Sequence, residues 1–194
     1  WWNFERQFII IYGIAQTMNY LHNSNKIHAN LTPSNILIDE NNEPQITDFD
    51  QIDYFPFFDY SVENLIKYNL FYYIDPFILK TNAKCMKKSD IFSFAIICIQ
   101  ILSGTVNIYE NHQDPKQLIH DIKNGELPLI PSNIPIELKE LFSSCLSDSF
   151  KERPLFKKIC EKLDTFADSF PGLTEIFQEY RDKITGKNEN DDET

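Results

Sequence analysis

Apolar residues recur at helical spacing from the start of the chain. Phe4, Phe8, Ile11, Ala15, Met18 and His22 fall three and four positions apart, which lays one stripe along a cylinder and predicts an amphipathic helix over 4–22. Two short β-prone runs follow, NILI at 35–38 and PQIT at 44–47. The polar tract DENNE between them predicts a hairpin-like turn. Gln51 to Ile74 is crowded with Phe and Tyr and has no clean period, so it reads as a long, packed loop. Asp90 to Leu102 is apolar nearly all round, the mark of a helix buried on every side. Asp114-Pro115 supplies an N-cap and first-turn proline to the next helix, and Gly125 its C′ residue. Further helices fit 135–146 and 154–168, and a helical extension fits 169–186. The acidic residues 187–194 read as a disordered tail. The expected fold is mainly α: a helical bundle around one buried helix, with a small β hairpin and no internal repeat.

A chain of 194 residues bounds one domain, or one large lobe of a bigger one. Hydrophobic residues at 42% and aromatics at 14% supply an ample core and exclude wholesale disorder. Only 5 Gly occur, which leaves little room for Gly-rich phosphate loops. The opening on Trp1, straight into a helical pattern, reads as a fragment of a longer protein cut within a folded region. The net charge of −11 argues against a general nucleic-acid or anionic-membrane surface, because phosphate is repelled at long range. Cys85, Cys98, Cys145 and Cys160 sit singly, without CxxC spacing, as reduced thiols of a cytoplasmic protein do. The longest apolar run, IFSFAIICIQIL, is too short to span a bilayer, and no signal-peptide pattern opens the chain.

Candidate chemistry lies in KIHANLTPSNILIDENNEPQITDFD, Lys26 to Asp50. Phosphoryl transfer needs a carboxylate for the attacking hydroxyl's proton, oxygen ligands for magnesium, and a cation for the moving phosphate. Protein kinases meet these needs with an H-R-D-x-x-x-x-N loop, a short hairpin and D-F-G. Here His28-Ala29-Asn30 stands at the first three positions, Asn35 at the trailing Asn, and Asp48-Phe49-Asp50 at D-F-G. Asp75-Pro76-Phe77 occupies the family's A-P-E position. KSDIFSFAIICIQILSG resembles its central helix, and CLSDSFKERPLFKKICEKL its closing helices. Over residues 1–168 the chain therefore resembles the C-terminal lobe of a protein kinase, in the style of the tyrosine-kinase-like group. The resemblance implies ATP and magnesium as cofactors and proteins as substrates or partners. The Gly-rich loop, strand Lys and helix Glu of an N-terminal lobe do not occur in this sequence, so tight ATP binding by this chain alone is not expected.

The departures from the family pattern decide the reading. Asn30 replaces the proton-accepting Asp, and Thr32 stands where a catalytic-loop Lys is usual. Ala29 replaces an Arg that pairs with a phosphorylated activation loop. Asp50 replaces the hinge Gly. Asn35 and Asp48 match the magnesium-ligand positions, where they serve either as ligands or as loop braces. His28, Phe49 and Asp90 are expected in structural roles, the Asp accepting backbone amides of the catalytic loop. Arg153 matches the family Arg whose ion-pair partner is the A-P-E Glu. Phe77 fills that Glu position, leaving Glu152 and Asp148 as the nearest carboxylates in sequence. These substitutions imply a pseudokinase acting as a scaffold or allosteric regulator. The alternatives are a weakly active serine/threonine-type kinase and a nucleotide-independent helical interaction module. The aromatic segment after Asp50 is expected to pack on its own lobe, or to bind a partner through Phe57 and Phe58.

Overall fold

The structure, a computed structural model, describes residues 3–49, 59–109 and 114–186. Helix α1 runs Phe4–Asn23 and begins where the Asn3 side chain accepts the Arg6 N–H, an N-cap bond. Its buried face is wider than the predicted stripe and takes in Ile10, Tyr12 and Ile14. A 3-10 turn, Pro33–Asn35, leads into strand β1, Ile36–Ile38, which pairs antiparallel with β2, Pro44–Ile46. Asp39 shapes the turn between them, its carboxylate accepting the N–H groups of Asn41 and Glu43.

The long-loop expectation for Gln51 to Ile74 needs correction, because helix α2 spans Val62–Lys67. Ser61 caps it by accepting the Asn64 N–H, Glu63 sits in its first turn and Lys67 in its last, each suiting the helix dipole. Six residues with Leu65 as the one buried position are too few to print a period on the sequence. The rings that follow turn inward: Phe71, Tyr73 and Ile74 are buried, and Tyr72 stacks on Tyr109 at 6.1 Å. Phe57, Phe58 and Asp50 lie outside the described residues.

Helix α3 spans Pro76–Thr81 and α4 spans Lys87–Ser103. The central helix thus starts three residues before the predicted Asp90, which places that carboxylate inside the first turn. Helix α5, Pro115–Lys123, is capped by Asp114 as expected, and Gly125 follows at φ +102°, where a side chain would be strained. Helices α6 (Ile136–Cys145), α7 (Phe156–Ser169) and α8 (Glu175–Thr185) follow, and the expected tail, 187–194, lies outside the described residues. Helix α4 packs against α1 and α6, and α7 lies against both of those. Ile91, Phe92, Phe94 and Ile96 of α4 have no exposed surface. The fold is therefore the mainly helical one expected, with a small two-stranded antiparallel sheet.

Among the described residues no helix is long and apolar enough to cross a membrane. All four cysteines are free. Burial pushes the Cys145 and Cys160 thiols up to about 12, so neither serves as a nucleophile at neutral pH.

Candidate active site

The loop from Lys26 to Asn35 gets its shape from one buried carboxylate. Asp90 Oδ2 accepts the His28 N–H and Oδ1 the Ala29 N–H, both at 2.8 Å. His22 Nε2 donates to the same Oδ2 at 2.8 Å, and its ring meets Phe156 edge-on. The sequence placed His22 on a helix stripe only. Its second role needs α4 beside the end of α1, which no local pattern announces. Asp90 is 2% exposed, so it needs several donors to offset the loss of water.

The anchoring holds a backbone that does not fall there unaided. Ala29 sits at φ +64° and Asp48 at φ +63°, left-handed conformations that cost a non-glycine residue ~1 kcal/mol or more each. Cys85 Sγ lies 3.8 Å from the Ala29 carbonyl and 3.0 Å from the Tyr60 hydroxyl, bracing that peptide from the segment before α4. Asn35 Nδ2 donates to the Asn30 carbonyl at 2.8 Å. The Thr47 N–H donates to the Asn35 carbonyl at 2.9 Å. Asn30, Asn35 and the residue before Asp48 are thus joined by hydrogen bonds.

His28 has no exposed surface. Its Nε2–H donates to the Thr47 carbonyl at 3.0 Å, and Nδ1 accepts the Asn30 N–H at 3.3 Å. One donor and one acceptor fit only the neutral ring. Burial pushes its pKa below the ordinary 6.5, against an opposing pull from Asp90. The unfolded chain therefore holds this proton more tightly than the folded one. The contribution to stability is complete above about pH 6.5 and is lost as pH falls toward the lower folded value. Melting temperatures between pH 7.5 and 5.5 should decline, and His28→Gln should flatten that decline. A variant that keeps the full slope assigns it elsewhere.

The other site residues differ in exposure. Asn30 is half-buried, whereas Thr32 is buried with its hydroxyl 2.7 Å from that of Ser34. Thr32 therefore offers no cation and no reach. Asp48 and Phe49 are exposed, Phe49 by 40%. The cavity beneath the loop, bounded by Asn30, Thr32, Tyr60, Asp75, Cys85 and Ser89, holds about 30 Å³. That volume suits one water and excludes a nucleotide. A larger groove of about 300 Å³ between the hairpin and α4 is lined by Ile10, Ile36, Ile38, Ile97 and Val106, with no charged group for a phosphate.

Arg153 finds its partner far away in the sequence. Its guanidinium forks onto Asp75, with Nη1 2.6 Å from Oδ2 and Nη2 2.9 Å from Oδ1. Nε donates to the Ser147 carbonyl and Nη1 also to that of Lys88. Neither sequence neighbour takes part in that fork: Asp148 pairs with Lys80, and Glu152 accepts the Ser147 hydroxyl. Asp75 also caps α3 through the Phe77 N–H, while the Phe77 ring packs on Phe150 at 4.8 Å. Asp75, two positions before Phe77, supplies the buried pair because its place at the α3 cap faces the guanidinium.

A buried helix Asp thus holds an amide-rich loop, which is followed by a hairpin and an exposed Asp. The profile of the family "Protein tyrosine and serine/threonine kinase" matches residues 2–163, and the chain belongs to that family. It is 31% identical over 172 residues to the human receptor-interacting serine/threonine-protein kinase 1, covering 81% of this chain and 26% of that protein. It is 29% identical over 160 residues to the dual specificity protein kinase shkB of Dictyostelium discoideum, covering 82% and 24%. Against the receptor-like serine/threonine-protein kinase SD1-7 of Arabidopsis thaliana it is 26% identical over 193 residues, covering 87% and 22%. The chain spans about a quarter of the length of these relatives.

Proposed function

We propose that this chain is the C-terminal lobe of a catalytically impaired protein kinase, a pseudokinase that acts as scaffold or allosteric regulator of a protein partner in cytoplasmic signalling. The contrast at Asn30 carries the reading. Around it the backbone keeps a costly shape, anchored by Asp90, while the side chain at the proton-accepting position is a neutral amide. An amide can orient a hydroxyl but takes no proton near neutral pH, and losing general-base help costs about 10²–10⁴-fold in rate. Thr32 adds a second deficit, since a buried hydroxyl does not neutralise a moving phosphate.

The family uses ATP with magnesium, and the retained residues fit that pair. Asn35 commits Nδ2 to the Asn30 carbonyl, which leaves Oδ1 as its metal-binding oxygen. Asp48 supplies an exposed carboxylate. One carboxylate and one amide oxygen suit magnesium that arrives on substrate phosphates, because the ion keeps waters and phosphate oxygens as its remaining ligands. When bound, that magnesium neutralises charge on the phosphates. Retention of Asn35 and Asp48 favours the second reading, a weakly active serine/threonine-type kinase.

Incubating the chain with labelled ATP, magnesium and hydroxyl-bearing peptides should give transfer at least about a hundredfold below the ~1–100 s⁻¹ of ordinary kinases. Turnover inside that ordinary range sinks the proposal. Melting curves with and without MgATP, run on the chain joined to a kinase N-terminal lobe, separate the remaining readings: a clear upward shift supports the weak kinase, and none supports a nucleotide-independent scaffold.

A further inference from the structure

Helix α8 lies beyond residues 2–163, the stretch matched to the family, yet it is fastened to the hairpin that joins Asn35 to Asp48. We propose that α8 is a clamp that sets this hairpin, with Tyr180 and Lys183 as its positioning residues. Only the consequence for nucleotide binding rests on reading Asn35 and Asp48 as magnesium ligands.

The clamp is fixed at its N-terminal end, in its middle and near its C-terminal end. At its start, Glu5 of α1, 6% exposed, accepts both the Thr174 N–H and the Thr174 hydroxyl, at 2.7 and 2.6 Å. Thr174 Oγ1 in turn accepts the Ile176 N–H and caps α8. This fixes the helix origin on α1. In the middle, Phe177 has no exposed surface and packs edge-on against Phe8 and Tyr12 at 5.1 and 5.2 Å. One turn further, the Tyr180 hydroxyl and the Pro44 ring both enter the space a Cβ on Gly13 would fill. At that glycine, α1, α8 and the first residue of β2 meet. Toward the C-terminal end, Lys183 Nζ lies 2.8 Å from both carboxylate oxygens of Glu43.

Strand β2 rests on α1, and α8 adds a second support. Each strand has three residues, and a hairpin of that size does not hold its place alone in water. Glu43 is the residue whose carbonyl accepts the Asp39 N–H at the turn. The opposite end carries the Thr47 N–H bond to Asn35, next to Asp48. A clamp at the turn therefore reaches the candidate ligands through one short ladder. Tyr180 carries the larger share, since it is 7% exposed. Lys183 is 59% exposed, and exposed ion pairs are weak.

The test is amide hydrogen exchange on the full chain, read at Asp39 and Thr47 for the hairpin and at Cys98 for the α4 core. Tyr180→Ala is expected to speed exchange at both hairpin amides by about tenfold or more through local opening, with Cys98 unchanged. Lys183→Glu should give a smaller rise, about threefold, consistent with an exposed pair. The swap Lys183→Glu/Glu43→Lys should restore it. Parallel MgATP titrations should weaken in the same order. Unchanged hairpin rates in Tyr180→Ala overturn the proposal, as does a variant in which hairpin and core amides accelerate together. A swap that restores nothing removes Lys183 from the clamp. Where the unmodified chain binds no MgATP, the exchange rates alone decide the clamp.

Discussion

Asp75→Ala should lower the unfolding free energy by about 3–5 kcal/mol, because it leaves the Arg153 guanidinium buried without its carboxylate. Arg153 is 2% exposed and Asp75 is 1% exposed, so water does not replace the lost partner. The same substitution removes the N-cap of α3, worth about 1 kcal/mol more. Domains of this size have about 5–15 kcal/mol in total, so the variant should sit close to its unfolding threshold. Urea denaturation followed by circular dichroism measures it. Asp75→Asn keeps an oxygen for the cap and separates the two contributions: its midpoint should lie between wild type and Asp75→Ala. A midpoint for Asp75→Ala within experimental error of wild type would show that the pair carries no net stability.

Asn30→Asp should raise phosphate transfer from ATP by about 10²–10⁴-fold over the unmodified chain, the usual worth of a positioned general base. The bonds that shape the loop use the backbone N–H and carbonyl of Asn30, so exchanging an amide for an isosteric carboxylate leaves them in place. The exchange leaves Asn35 and Asp48, the proposed magnesium ligands, unchanged. The measurement is a γ-phosphate transfer assay run side by side on both chains, with melting curves confirming equal folding. A rate that does not move places the dominant defect at Thr32 or in nucleotide binding, and removes the proton acceptor as the main lesion.

Much of the fold is legible in the sequence wherever a helix is long. Helices α1, α4 and α7 bury a face over three or more turns, so their period survives local noise and their ends are misplaced by a few residues only. The six residues of α2 are too short for that. Their cap residue Ser61 and terminal charges were the available signal, hidden beneath a run of aromatic side chains. The motif behind the proposed site is equally readable, because its residues lie within 28–48 at fixed spacing. Two roles are not readable. His22 as an Asp90 donor and Asp75 as the Arg153 partner link positions 68 and 78 residues apart. The carboxylates nearest Arg153 in sequence, Glu152 and Asp148, are held by other groups.

The sequence by itself determined the helical class and the hairpin, and it carried the motif on which the Asn30 proposal rests, since each follows from residue type and local spacing. Only the tertiary structure decided which carboxylate neutralises Arg153, how Asp90 holds Ala29 in a left-handed turn, and how α8 fastens onto the hairpin at Gly13. Those outcomes depend on burial. A buried charge or a missing Cβ acts on whatever the fold brings within a few ångströms, and that neighbour is set by packing rather than by the order of residues.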